Sequence, residues 1–402
     1  MQQLRGNLHL LKKLNQTRIL DFIRKQGPVS KADIAEGIQL TFMAVSKLIN
    51  ELNEIGILRV QGVGKSSGGR KPILYDLNPD ALYVIAIDLS SEDIKLELVN
   101  FHTELIAQRH IPAPPDKEPA SYIKIIAESV RQMVADAKID DTKLIGIGVS
   151  APGPINTHSG EVLFPPNLPK WEIVPLQHLL QEALNIPVKV EKNANLSALG
   201  EKWFGVGSDV DNIIYVLLGD GIGGGIIIDG VLYKGNQFGA GEIGHVTIDH
   251  NGPRCNCGNY GCLEAMASSI AVVKRIQKEL LLNGGKSHSY PANEQVNITA
   301  VMKALSHQDE LTVRVIEEAS YLLGIGLIGI INSFNPQKVI IGGNLPQAYP
   351  KMVEIAASVA KTRVIPVFRD KLNIVPAALG ERSAIAGAAA LILEEIFTLH
   401  LT

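Results

Sequence analysis

The chain is poor in cysteine: among 402 residues there are three, at positions 255, 257 and 262. An odd number in so short a span does not fit the disulfide framework of an extracellular domain and points to metal ligands. Long apolar runs are missing too. Although 46% of the residues are hydrophobic, no stretch of eighteen or more escapes a charge or a Gly or Pro break, and the first residues lack an apolar core leading to a small-residue cleavage site. Neither a membrane span nor a leader is expected, and the expected location is the cytoplasm. Net charge is small, at -3, but unevenly spread: residues 1–75 hold 12 Lys and Arg against 5 Asp and Glu, the remainder 26 against 36. A head of +7 on a body of -10 is the layout of a nucleic-acid module joined to something else. At this length two or three folding units are expected.

What is present begins with three predicted helices. Ile19, Leu20, Phe22 and Ile23 recur at helical spacing over residues 15–25, and Gly27 and Pro28 stop that helix. Ser30 with Asp33 three residues on marks a second, short helix that ends at Gly37. Thr41 caps a third, whose apolar face is Val45, Leu48, Ile49, Leu52 and Ile55. Two strands around residues 57–60 and 73–75 then flank a glycine- and serine-rich wing. This order is that of a winged helix-turn-helix over residues 1–78, with the third helix in the major groove. Thr41, Phe42, Met43, Ser46, Lys47 and Asn50 are the candidate DNA contacts on that helix, and Lys65, Ser66, Arg70 and Lys71 those on the wing, where cations suit phosphates or a narrow minor groove. A docking module for another protein is the alternative, although such a surface would usually be apolar where this wing is cationic.

Beyond Pro79 the pattern becomes strand and helix alternation. Buried strands are predicted at 83–88, 144–149 and 213–218, an alternating one at 94–99 and a helix at 120–137, which indicates α/β lobes. Gly219, Gly221, Gly223, Gly224 and Gly225 follow the third buried strand and predict a turn whose amides approach an anion or a sugar. His245, Cys255, Cys257 and Cys262 lie within eighteen residues. Three thiols and an imidazole can close a tetrahedral Zn2+ site, one per chain, and four protein ligands leave no open position, so the metal is expected to be structural. It would fix the loop presenting Glu242 and Glu264. The remaining histidines, His102 and His110 among them, have no ligand spacing.

These motifs, with Pro166, Asn167, Leu168 and Trp171, resemble the ROK group of bacterial repressors and sugar kinases over nearly the whole chain. The resemblance implies two actin-like α/β lobes, here residues 79–195 with 380–402, and 196–379, holding a sugar in the cleft. It implies sugar contacts at Gly153, Asn167, Asn193, Glu242, His245 and Glu264. Carboxylates suit this because each accepts two hydroxyls. Head and wing resemble those of Gram-positive xylose repressors, which implies xylose or another neutral monosaccharide.

The family's kinases carry an Asp base in an Asn-Asp-Ala-Asn motif, where this chain has Lys192, Asn193, Ala194 and Asn195. Asn193 is no base near neutral pH. Ser90 and Ser91 replace two phosphate-loop glycines, and Asp220 adds an anion at the second phosphate turn. No enzyme activity is expected. The expected function is a sugar-responsive repressor, a homodimer or homotetramer on palindromic operator DNA, released when sugar closes the lobes and shifts the two heads. A kinase with a regulatory head and a repressor answering to a phosphorylated sugar are the alternatives. Lys192 could pair with Glu242 or Glu264, favour an acidic sugar, or face solvent.

Overall fold

The computed structural model describes residues 2–65, 71–165, 167–236, 239–282, 289–290 and 295–397, side chains of 2–10 aside. The head opens with α1 (Gln2–Gln26), longer at its start than the periodicity suggests, then β1 (Val29–Ser30), α2 (Lys31–Gly37), α3 (Phe42–Glu54), β2 (Leu58–Val63) and β3 (Ile73–Leu77). Ser30 caps α2 through the amide of Asp33 while the Asp33 carboxylate accepts from the Ser30 amide, the reciprocal box expected there. Thr41 caps α3 through Ala44 N. Val45, Leu48, Ile49 and Leu52 are buried, but Ile55 falls just past the helix end and is 70% exposed, so the apolar face is one turn shorter than expected. The strands form a sheet in the order β1-β3-β2; β1, only two residues long, has no readable period.

The chain then divides into two compact units, residues 1–153, 157–191 and 388–402, and residues 154–156 and 192–387. In the first, β4 (Tyr83–Leu89), β5 (Asp93–Asn100) and β6 (Leu105–Pro112) form an antiparallel meander. It is followed by α4 (Pro119–Ala137), β7 (Leu144–Ala151) parallel to β4, the short strands β9 (Glu161–Leu163) and β10 (Ile173–Val174), α5 (Leu176–Leu184) and β11 (Val188–Lys192), while β8 (Ile155–Asn156), between β7 and β9 in the chain, is counted with the second unit. The sheet order is β11-β7-β4-β5-β6.

The second unit carries α6 (Asn193–Phe204), β12 (Ile213–Leu218), β13 (Ile222–Ile228), β14 (Val231–Leu232), α7 (Leu263–Ala267), α8 (Ser269–Leu282), α9 (Ile298–Ser306), α10 (Glu310–Phe334), β15 (Lys338–Gly342), α11 (Asn344–Ala348), α12 (Lys351–Arg363), α13 (Pro366–Arg369) and β16 (Asn373–Pro376). Its sheet, β14-β13-β12-β15-β16, repeats the plan of the first: an antiparallel meander whose first strand, β12 as β4, pairs on its other side with a parallel strand. The glycine run is therefore not all turn, because Gly223, Gly224 and Gly225 pair with β12. A Cβ on Gly225 would stand 2.3 Å from the Ala194 carbonyl, so glycine there lets α6 lie directly on the sheet. α10 is long and apolar enough to cross a membrane, but Val315, Ile316, Leu323, Leu327 and Ile331 on it are core residues.

α14 (Ser383–Phe397) is the last described element. In the first unit its last described residue, Phe397, stacks on Phe101 at 5.3 Å and lies under the Arg24 guanidinium of α1 at 5.6 Å. His102 Nε2 meets the Leu77 carbonyl at 2.9 Å and Asp76 at 3.5 Å, so this histidine joins the hairpin of β5 and β6 to β3. Asn78 N donates to Ile57 O, and Lys143 to Asp80 O, fixing the connection on both sides. The head is thus docked on the first sheet, with Phe397 as a clasp. Phe397→Ala is expected to cost about 3 kcal/mol, by analogy with other buried aromatic truncations, and to open residues 78–81 to protease. Limited proteolysis and a thermal melt test both; an unchanged digest would show the clasp to be idle.

Candidate functional site

Two groups of side chains stand out, one on the head and one in the second unit. On the head, the face of α3 opposite its core carries Phe42 and Met43, 53% and 77% exposed, with Thr41, Lys47 and Asn50 exposed and Ser46 half-buried. Burying four apolar residues on one side forces these outward. Lys31, the first residue of α2, reaches across to them: its Nζ donates to Asn50 Oδ1 at 2.6 Å and Ser46 Oγ at 3.2 Å. No local period links residues 31, 46 and 50, so reading each helix alone misses Lys31. On the wing, Lys65 and Lys71 are exposed, and Gly64 N closes on Pro72 O. Ser66 and Arg70 lie outside the described residues, as does Pro166.

In the second unit, one ligand atom from each of His245, Cys255, Cys257 and Cys262 falls within 4.8 Å of the others. Cys257 Sγ is 3.7 Å from Cys262 Sγ and Cys255 Sγ is 3.6 Å from His245 Nδ1. A tetrahedral zinc with bonds of about 2.3 Å to sulfur has edges of about 3.8 Å, so these spacings fit it, and they are far too long for a disulfide. Local chain geometry makes the cluster. Gly258 and Gly261 have φ of +94° and +63°, and a Cβ on Gly261 would meet the Asp249 carbonyl at 1.5 Å, so only glycine turns the chain here. Cys255 N donates to Asn259 O, and Leu263 N to Val246 O. Burial pushes the Cys255 thiol up and that of Cys262 up to about 12, whereas the Asn259 amide beside Cys257 holds its thiol below the ordinary value. Without a cation the two buried thiols stay protonated; a divalent ion would displace those protons.

The carboxylates next to this cluster are both held. Glu264 Oε2 accepts from Ile222 N at 3.0 Å, and its Oε1 lies 3.9 Å from Cys255 Sγ. The amide at the end of the glycine turn is therefore directed at a protein carboxylate. Glu242 Oε1 accepts from Lys192 Nζ at 2.9 Å, and Lys192 also donates to Ala240 O at 2.8 Å. Lys192, 7% exposed, is thus a buried cation paired with Glu242 and does not face solvent. Glu242 Oε2 stands 3.9 Å from His245 Nε2, the ring nitrogen not turned toward Cys255. Asn193, half-buried at the start of α6, accepts from Ala194 N at 2.8 Å. Lys192, Glu242, His245 and Glu264 therefore gather around the metal loop; Gly153 and Asn167, half-buried and exposed, belong to the first unit.

A family model described as the ROK family matches residues 84–395. The chain belongs to the ROK family. A xylose repressor from Caldicellulosiruptor bescii is 34% identical over 396 residues, covering 98% of this chain and 98% of that protein. Among solved structures, a ROK family transcriptional regulator, a homolog of the E. coli MLC protein, superposes with a TM-score of 0.82 at 27% identity, over 96% of this chain and 97% of its own. A ROK family glucokinase from Streptomyces griseus, solved with glucose and AMPPNP, matches with a TM-score of 0.64 at 27% identity, over 77% of this chain and 98% of its own. The family model starts beyond the head, whereas the repressor and the regulator match nearly all of this chain.

Against that family background, the loop after β4 is closed on itself. Ser90 N donates to Asp93 O, Ser90 Oγ donates to the Asp93 carboxylate at 2.6 Å, and the amides of Glu92 and Asp93 point at Ser90 Oγ. Tyr122 and Lys117 further tie down the carbonyls of Ser90 and Ser91. The amides of Ser90, Glu92 and Asp93 are thus all satisfied within this loop.

Proposed function

We propose that this ROK chain is a sugar-responsive transcriptional repressor: a winged helix-turn-helix head over residues 1–78 that binds operator DNA, on a kinase-like body that holds a sugar and does not phosphorylate it. The observation that carries this reading is the donor-rich, solvent-facing side of α3, present in one chain with a body that has Asn193 in place of the kinases' Asp. A side-chain amide already accepting from its own helix does not take a proton from a sugar hydroxyl. Ser90 and its self-satisfied loop support the same loss. The name of the C. bescii relative supports xylose as the effector, and the commitment of Lys192 to Glu242 favours a neutral sugar over a phosphorylated one.

In this reading His245, Cys255, Cys257 and Cys262 hold one structural zinc, which supplies no chemistry and fixes the loop so that Glu242 Oε2, His245 and Glu264 meet the sugar hydroxyls. The protein acts in the cytoplasm as a dimer whose two heads read half-sites about 34 Å apart. Sugar and operator binding are linked, so the sugar favours the DNA-free form.

The test is binding of the purified chain to its own upstream DNA at two salt concentrations, with and without xylose and other sugars, free and phosphorylated. Affinity should fall about tenfold or more between 50 and 200 mM salt, and one neutral sugar should release the DNA. Binding untouched by every sugar would sink the effector assignment.

A further inference from the structure

We propose that Lys31 turns the operator-facing side of α3 into an array of hydrogen-bond donors, so that Asn50 selects guanine in the half-site. The inference rests on the DNA-binding reading of the head and names what that head reads. An ammonium has three donors and no acceptor. Because Lys31 Nζ stands 2.6 Å from the Asn50 side chain, it is the amide oxygen that faces it, and the two N–H donors of Asn50 turn away. Ser46 Oγ accepts from the same ammonium at 3.2 Å and keeps its own O–H to give. Lys31 is no loose surface lysine: its ammonium also sits 5.2 Å from the centre of the Tyr75 ring, which is 7% exposed in β3. A cation over an aromatic face and two oxygens from α3 hold it in one place.

This changes what the asparagine can recognise. An unencumbered asparagine reads adenine with both ends of its amide, accepting from N6 and donating to N7. Here the ammonium occupies one side of the oxygen and repels a second donor brought up to it, so the N6 amino group of adenine is disfavoured. Guanine shows the major groove two acceptors, N7 and O6, and no donor. The Asn50 N–H2, the Ser46 O–H and, one residue from Ser46, the exposed Lys47 all suit those acceptors.

The experiment is selection of duplexes from a randomised pool by the full chain, the Lys31→Met variant and the Asn50→Ala variant, with thermal melts to establish that each is folded. The wild type is expected to select a guanine whose replacement by 7-deazaguanine, which lacks the N7 acceptor, weakens binding about tenfold. In Lys31→Met the freed oxygen should shift that position toward adenine, and the penalty for 7-deazaguanine should shrink. An adenine at the position sensitive to Asn50→Ala in the wild type, or an unchanged preference in Lys31→Met, overturns the inference and leaves DNA binding intact. No salt-dependent binding to any duplex overturns the DNA-binding reading and this inference with it.

Discussion

Replacing Cys262 by serine is expected to abolish metal retention and to lower the melting temperature by about 6–12 °C, roughly 3 kcal/mol spread over a unit of this size. Cys262 is fully buried, and burial pushes its thiol up to about 12 in the metal-free chain. At neutral pH that thiol is therefore protonated until a cation replaces the proton. It follows that metal uptake releases protons and weakens as pH falls, since protons compete for the same sulfurs. Cys257 gives the contrast. It is exposed, and the Asn259 amide already favours its thiolate. Cys257→Ser should lose the metal too but leave a smaller scar in the packing. Metal content per chain, chromogenic chelator release at two pH values and melting curves measure all of this. A Cys262→Ser protein that kept one tightly held metal and the parental melt would remove the cluster from the argument.

The cluster of His245 and the three cysteines was legible because its information is local. Four soft ligands within eighteen residues, separated by glycines, define a cluster whatever surrounds them. The same holds for Ser30 with Asp33 and for Thr41, where a cap needs only its own first turn. What sequence reading missed was set by distant contacts. The glycine run after β12 reads as an anion-binding turn, but three of its members are strand residues, with α6 against Gly223 and Gly225 and the Ile243 side chain against Gly224, and the Ile222 amide goes to Glu264. Alternation of half-exposed and exposed positions along β6, an edge strand, gives no apolar period to detect. Lys31 acts on residues fifteen and nineteen positions away. His102, set aside for lack of ligand spacing, turns out to join the head to the first sheet.

The pair Lys192 and Glu242 tests how the proposed effector site is held, because its two members differ in exposure. The Lys192 side chain is 9% exposed and that of Glu242 47%. Deleting the carboxylate in Glu242→Ala removes the ion-pair partner of a buried ammonium at the start of α6, where the helix dipole also opposes a positive charge. That should cost about 3 kcal/mol, as for other broken buried pairs. Deleting the ammonium in Lys192→Met leaves a carboxylate that water still reaches, and a side chain of similar length fills the space; the cost should stay below about 1 kcal/mol. The double variant removes that ammonium as well and should melt close to Lys192→Met. Sugar binding should separate from stability in the same series. Glu242→Ala and the double variant lose the effector response, whereas Lys192→Met retains it because Glu242 Oε2 and His245 stay in place. Equal destabilisation by the two single changes would mean that the buried cation does not govern this site, and loss of the sugar response in Lys192→Met would mean that Lys192 itself touches the ligand.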